Sequence, residues 1–412
     1  VLFAGALLLA LGVLVFRFSK GEPNPVAPTA EPPAVEPASS AADLSVASHL
    51  TSADLAAQSP PPALAALPKG FVAGSPQALT WTRTLVTNLT QLDPKAQNVT
   101  PELSAWWRSQ FNQLKNSGAD GAVAIREFLA RNEDISFAGL TESDSVGYPS
   151  LRMAMLDVLA AVGGQAGIEG LLDVLHATAL PGEIAQLAQH LETLAPAQYR
   201  QELLDATRSV LAQADRGELK NLDVGSLFQV LAKYGGADAV PSLQAVGDTW
   251  KSYAAIALGN LPDGAGVPAL LELARTSSGQ TASAVWPMVA EHAATSDEAR
   301  NLLLEAVRDG SVPAPAWPKL ARALGGYEYH IMAPPATLPA NVSYNNSHSW
   351  NFLQTSEQFI AVVNVAGLST RQINARLGLI DQLNGLNPPE GAQAALVAGR
   401  KALLDELQRR PK

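Results

Sequence analysis

From residue 78 onward, apolar positions recur three and four residues apart, and the runs are cut by glycines. The pattern is clearest over 231–274. There Leu231-Ala232-Lys233-Tyr234-Gly235-Gly236-Ala237-Asp238-Ala239-Val240-Pro241 is followed by Ala255-Ile256-Ala257-Leu258-Gly259 and then by Val267-Pro268. In both phrases an apolar helix stops at glycine, a short turn follows, and a second helix opens with Val-Pro. Glycine supplies the left-handed residue that closes a last helical turn, and proline suits a first turn. A helix pair of this kind cannot bury its apolar face alone, but stacked neighbours can bury it jointly.

The same periodicity predicts helix pairs at 151–162 with 168–177, 183–194 with 199–214, 224–234 with 239–246, 253–261 with 267–275, and 281–294 with 297–307. A further helix spans 317–324. Residues 69–148 form an N-terminal helical cap with helices at 78–92, 100–115 and 122–131. Thr100 caps the second of these, Pro101 takes the first helical position, and Glu102 faces the positive end of the dipole. Trp106, Phe111 and Leu114 fall together on it, with Trp107 pointing elsewhere. The acids of the 132–148 loop, Glu133, Asp134, Glu142 and Asp144, read as a solvated edge. Residues 351–412 form a C-terminal helical cap. It has an apolar-sided helix at 352–365, then the capping box Ser369-Thr370-Arg371-Gln372 before a helix at 373–383. Its closing helix, 392–409, has Arg409 and Arg410 at the negative dipole end and an expected polar outer face.

The glycine pairs at Gly163, Gly235 and Gly325 are about two repeats apart, given units of roughly 35–45 residues. With Val158-Leu159-Ala160-Ala161-Val162-Gly163-Gly164 and the two phrases above, residues 150–326 resemble HEAT-like helical repeats of the short bacterial form. The resemblance implies an all-α fold, an α-solenoid of stacked helical hairpins over 149–326. It also implies a protein-binding scaffold, the role most such families play.

The start of the chain is different. Residues 1–16 carry no charge, and Arg17 and Lys20 follow at once. Where a signal peptide would have a small-residue cleavage site stands Arg17-Phe18-Ser19-Lys20-Gly21-Glu22-Pro23, so 1–20 is expected to be a retained single transmembrane helix. Residues 21–68 are a Pro/Ala-rich linker. At about 3.1 Å per residue where polyproline-like, it would hold the body up to roughly 100 Å from the membrane. Within it, 43–57 carries Leu44, Val46, Leu50 and Leu55 among small polar residues; this reads as scattered apolar residues in a disordered stretch, with a short docking helix as the alternative. Arg17 and Lys20 alone would hold the body in the cytoplasm, whereas the linker is of the exported kind, and the expectation is an extracytoplasmic, periplasmic body.

Composition removes several chemistries. The 412 residues carry a net charge of −10 and only 16% charged side chains, which disfavours contact with a nucleic-acid backbone. Cysteine is absent, so disulfides, zinc thiolates, iron–sulfur clusters and thiol nucleophiles are excluded. No nucleophile elbow, His-Glu-x-x-His or phosphate-binding loop is present. Gly264-Ala265-Gly266-Val267-Pro268-Ala269 imitates a dinucleotide fingerprint, but it follows a helix and reads as an inter-helix turn. No cofactor or metal is expected. The six histidines, His49, His176, His190, His292, His330 and His348, are scattered, though His176 and His190 flank one turn and are placed to approach each other.

One stretch breaks the helical pattern. The inserted loop at 327–350 carries Tyr327, Tyr329, His330, Tyr344, His348 and Trp350 among prolines and asparagines. Long loops in compact proteins are commonly functional, and large, partly polar side chains suit protein contacts. These six residues are the candidate protein-binding site. The expected protein is therefore a membrane-anchored scaffold or adaptor whose partners are other proteins of a membrane or envelope complex. Two alternatives stand beside it. One is an enzyme with ionisable groups converging in the helical groove near His176, His190 or His330; the other is a membrane-tethered sensory module.

Overall fold

The structure is a computed structural model that describes residues 72–91, 100–137, 146–219, 224–326, 329–331, 359–361 and 365–410. The predicted anchor at 1–20 and linker at 21–68 lie outside these residues. Among the described residues no helix is long and apolar enough to cross a membrane.

Among the described residues the fold is all-α apart from one short two-stranded ribbon, and sixteen α-helices follow in order. They are α1 (Pro76–Thr90), α2 (Pro101–Asn116), α3 (Ala119–Leu129), α4 (Leu151–Val162), α5 (Gly164–Ala177), α6 (Pro181–Leu194), α7 (Arg200–Asp215) and α8 (Gly225–Tyr234). After these come α9 (Val240–Gln244), α10 (Lys251–Gly259), α11 (Val267–Thr276), α12 (Gly279–Ala293), α13 (Asp297–Arg308), α14 (Trp317–Gly325), α15 (Thr370–Gly385) and α16 (Glu390–Arg409). Between α14 and α15, β1 (Tyr329–Ile331) pairs antiparallel with β2 (Phe359–Ala361).

Local chemistry sets many of the ends. Ser75, Thr100, Ser150 and Ser296 each accept a backbone N–H of the first turn, at 3.2 to 3.4 Å. At α15 the capping box is complete: Gln372 N–H donates to Ser369 Oγ at 3.2 Å, and Ser369 N–H donates back to Gln372 Oε1 at 2.8 Å. The false dinucleotide fingerprint is a helix-to-helix turn. Gly264 takes φ +69°, and a Cβ on Gly266 would stand 2.2 Å from the Leu258 carbonyl oxygen, so only glycine lets α11 start so close to the end of α10.

Packing follows a simple rule. Each even-numbered helix from α2 to α16 packs on the next even-numbered helix, and each also touches a sequence neighbour. On the other layer α1 packs on α3, α3 on α5, α5 on α7, α11 on α13 and α13 on α15. Inner helices of the even-numbered layer are flanked on several sides, so α4 and α10 are buried over long unbroken runs. Ser252 to Leu258 of α10 are seven consecutive buried residues, and Leu151 to Leu156 of α4 are six. Alanine dominates in α10 and α12, which lets axes approach closely, while each buried leucine contributes about 2 kcal/mol.

The apolar core runs through the array without a clean division. On α6, Ile184 joins the core of the later helices, whereas Ala185 and Leu187 join that of the earlier ones. Aromatic contacts reinforce it, with Phe228 and Tyr253 at 5.5 Å between centroids and Trp250 stacked on Tyr253 at 6.0 Å.

Two expectations need correction. Trp107 does not point away from the core; it is fully buried, 5.3 Å from the Phe137 ring and 6.5 Å from Trp106. As the first helix of the even-numbered layer, α2 is covered on one side by α1 and α3 and on another by α4, so both indoles are enclosed. Within the helix expected at 352–365, the described residues differ: Phe359–Ala361 is a strand, and Val365–Gly367 is a single 3-10 turn, while 352–358 and 362–364 lie outside the described residues. The run Phe359-Ile360-Ala361 is aromatic and β-branched, which suits an extended backbone.

Candidate functional site

The excursion between α14 and α15 is pinned at its base. Gly326 ends α14 in the left-handed conformation, φ +75° and ψ +33°. Its carbonyl accepts the Val365 N–H at 3.2 Å, and a Cβ at Gly326 would lie 2.7 Å from Val365 Cβ. The two arms therefore leave and return at one point. The ribbon then zips them together in the register Tyr329 with Ala361, His330 with Ile360, and Ile331 with Phe359.

Two arginines hold this base from below. Arg376 of α15 is buried and donates through Nη1 to the Ala323 and Leu324 carbonyls in the last turn of α14, at the negative end of its dipole. Arg410, beyond the end of α16, donates to the Val365 and Ala366 carbonyls at 3.3 and 3.4 Å.

Of the six candidate contact residues, Tyr329 and His330 fall on β1, the first arm of the ribbon. Tyr327, Tyr344, His348 and Trp350 lie outside the described residues. The backbone thus places Tyr329 and His330 next to the α14 terminus.

A second cluster, unforeseen in the sequence, lies between α4 and α6. Arg152 and Glu183 are both buried. The guanidinium grips the carboxylate with Nε to Oε1 at 2.6 Å and Nη2 to Oε2 at 3.1 Å, and it donates to the Leu129 carbonyl at 2.9 Å. Thr178 Oγ1 donates to the same carboxylate at 2.7 Å. One turn further, Asp157 accepts from Gln186 Nε2 at 2.8 Å and lies 2.7 Å from His190 Nε2, and it also accepts from Tyr148. Burial pushes the Asp157 carboxyl up, but the bonds from His190, Gln186 and Tyr148 and the charge of His190 outweigh it and hold the group below its usual range. Burial and the neighbouring Asp157 raise the Tyr148 phenol.

This cluster joins elements rather than opening to solvent. It ties the end of α3, the body of α4, the α5–α6 turn and the first turns of α6. The signal that could have found it is a charge set inside an apolar run, Leu151-Arg152-Met153-Ala154-Met155-Leu156. Asp134, read as part of a solvated edge, accepts the Ile135 and Arg152 backbone N–H groups at 2.8 and 2.9 Å and helps start α4.

The histidines diverge. His176 Nε2 faces Glu202 at 3.4 Å on α7, while His190 faces Asp157 on α4, so the pair does not converge on one site. His292 Nε2 donates to the Gly259 carbonyl, 2.9 Å away, and burial lowers its pKa. Among the described residues no group of three or more His, Asp or Glu is placed to hold a metal ion. Comparison of the chain with protein families, with curated proteins and with solved structures finds no match.

Proposed function

We propose that this chain is a membrane-tethered helical-repeat scaffold, an α-solenoid of HEAT-like hairpins that binds other proteins of an envelope complex. Residues 1–20 are the anchor in this reading, 21–68 the stalk, and the 327–350 excursion the contact element. The observation that carries it is the unbroken packing of each even-numbered helix on the next, with one excursion set into the series and pinned at Gly326 and Val365. An array in which each hairpin is completed by its neighbours presents long, regular side faces, and repeat proteins bind through such faces. The excursion adds Tyr329 and His330 at a fixed place beside α14, next to a segment rich in Tyr, Trp and Asn.

Cross-linking in native membranes tests this, using chains tagged so that self-cross-links are counted apart. The ribbon register places Ile331 opposite Phe359, so residues 332–358 can be replaced by a short Gly/Asn turn without moving α14 or α15. The full chain should capture discrete partner proteins, and the shortened chain should lose them. A full chain that captures none, or a shortened one that captures the same set, overturns the reading.

A further inference from the structure

The two ends of the helical array differ. At the start, α1 shows solvent a polar face, with Thr80, Thr84 and Thr87 donating their hydroxyls to carbonyls four residues back. That is how a terminal repeat protects its flank. At the other end α16 buries Ala392, Leu396, Gly399 and Leu403 against its neighbours. Its opposite side repeats at intervals of four, three and four: Glu390, Ala394, Val397 and Lys401. All four are exposed, Val397 to 60%. The expected polar closing face is therefore apolar at its centre, with an acid at one end and a base at the other.

That order is self-complementary when reversed. Turned end for end, Glu390 meets Lys401, Ala394 meets Val397, and the same contacts recur across a two-fold axis. The reversal also sets opposite helix dipoles side by side. A parallel arrangement would instead place Glu on Glu and Lys on Lys. Beside the stripe, a groove of about 360 Å³ between α14 and α16 is lined by Pro318, Ala321, Arg322, Ala395, Ala398 and Gly399. These mostly small side chains let a second backbone approach and extend the face onto α14. Lys401 already pairs with Asp405 of its own helix at 2.9 Å, so in a pair it would sit between two carboxylates.

We propose that the outer face of α16 is a homodimer interface, across which a second copy of this chain packs its α16 antiparallel with Glu390 opposite Lys401 and Ala394 opposite Val397. The absence of cysteine from the chain gives a clean test. Full-length Ala394→Cys and Val397→Cys chains, separately tagged, are mixed in detergent and oxidised. A disulfide dimer containing both tags should dominate, because residue 394 faces 397 and not itself; each variant alone should give far less. In sedimentation, Lys401→Glu should raise the concentration for half-dimerisation by about tenfold or more. Glu390→Lys combined with Lys401→Glu restores the complementarity and should return it to the starting value. The substituted side chains are exposed, so each variant should keep the parent helical spectrum. A chain that stays monomeric at every concentration, a disulfide that forms equally well in Ala394→Cys alone, or a dimer indifferent to Lys401→Glu would each overturn the proposal.

Discussion

Removing one partner of the Arg152–Glu183 pair is the sharpest probe of how the array is held together. Both side chains are almost fully enclosed, at 5% and 3% exposure. In Glu183→Met the guanidinium keeps the Leu129 carbonyl but loses its counter-charge, and Thr178 loses its acceptor. An uncompensated buried charge costs about 3–5 kcal/mol. Arg152→Met strands the carboxylate in the same way and should cost a similar amount. The double variant removes both charges together and leaves mainly the Leu129 carbonyl and the Thr178 hydroxyl to be accommodated. Its cost should be about 1–3 kcal/mol, below either single substitution. Denaturation followed by helical circular dichroism reads the total. Helical arrays can unfold in parts, so amide hydrogen exchange over α3, α4 and α6 is needed beside it. Single substitutions costing under about 1 kcal/mol, as at a solvated surface pair, would refute the assignment. So would a double variant whose cost equals the sum of the two singles to within about 0.5 kcal/mol.

Gly266→Ala forces a Cβ to within 2.2 Å of a backbone oxygen and should destabilise the α10–α11 turn by about 1–3 kcal/mol, measured as a fall in the urea midpoint. Gly326→Ala combines a left-handed residue with a 2.7 Å approach to Val365 Cβ, so it should cost about 1–3 kcal/mol and speed proteolysis within 332–358; an unchanged cleavage rate would count against the pinned base. His292 is held below its usual pKa by burial and by the neighbouring Arg376. The unfolded chain therefore takes up a proton first as pH falls, and the folded chain should lose stability below about pH 6.5. His292→Gln should flatten that part of the profile in thermal melts at pH 7 and pH 5, and an unaltered slope would exclude this origin.

The helices were legible because their ends are written locally. Thr100-Pro101-Glu102, Ser296 ahead of two acids, and the Ser369–Gln372 box each specify a terminus within four residues, and the structure places helices behind all three. The glycine pairs were legible for the same reason, since a left-handed φ is a property of one residue. What depends on neighbours was harder to see. A single-stripe reading of α2 leaves Trp107 outside, because it cannot know that α4 covers the second side. Gln110, one turn on, is fully buried by the same enclosure, and its amide atoms have no hydrogen-bond partner. The short apolar run at 359–361 is helix or strand by periodicity alone; pairing with Tyr329–Ile331, some thirty residues earlier, makes it a strand. The Arg152–Glu183 contact spans 31 residues and leaves no local trace beyond a charge in an apolar segment. At the candidate site, the aromatic and histidine content of 327–350 marked the stretch, but its pinned base rests on Gly326, Val365, Arg376 and Arg410, residues with no shared local pattern.

The placement of that base separates the fold from the excursion. The contacts that continue the even-numbered layer run from α12 to α14 and from α14 directly to α16. None of them passes through 327–364. Arg376 bonds the last-turn carbonyls of α14 from α15, and Arg410 reaches back from beyond α16 to the return arm, so the array closes around the exit and entry points by itself. Loop-closure entropy rises only slowly with length, about 0.6 kcal/mol for each doubling. An excursion hung on so tight a base can therefore change in length and sequence at little cost to the stack beneath it. Under the scaffold function proposed above, that arrangement would let a contact element in the excursion diversify while each hairpin still leans on the next.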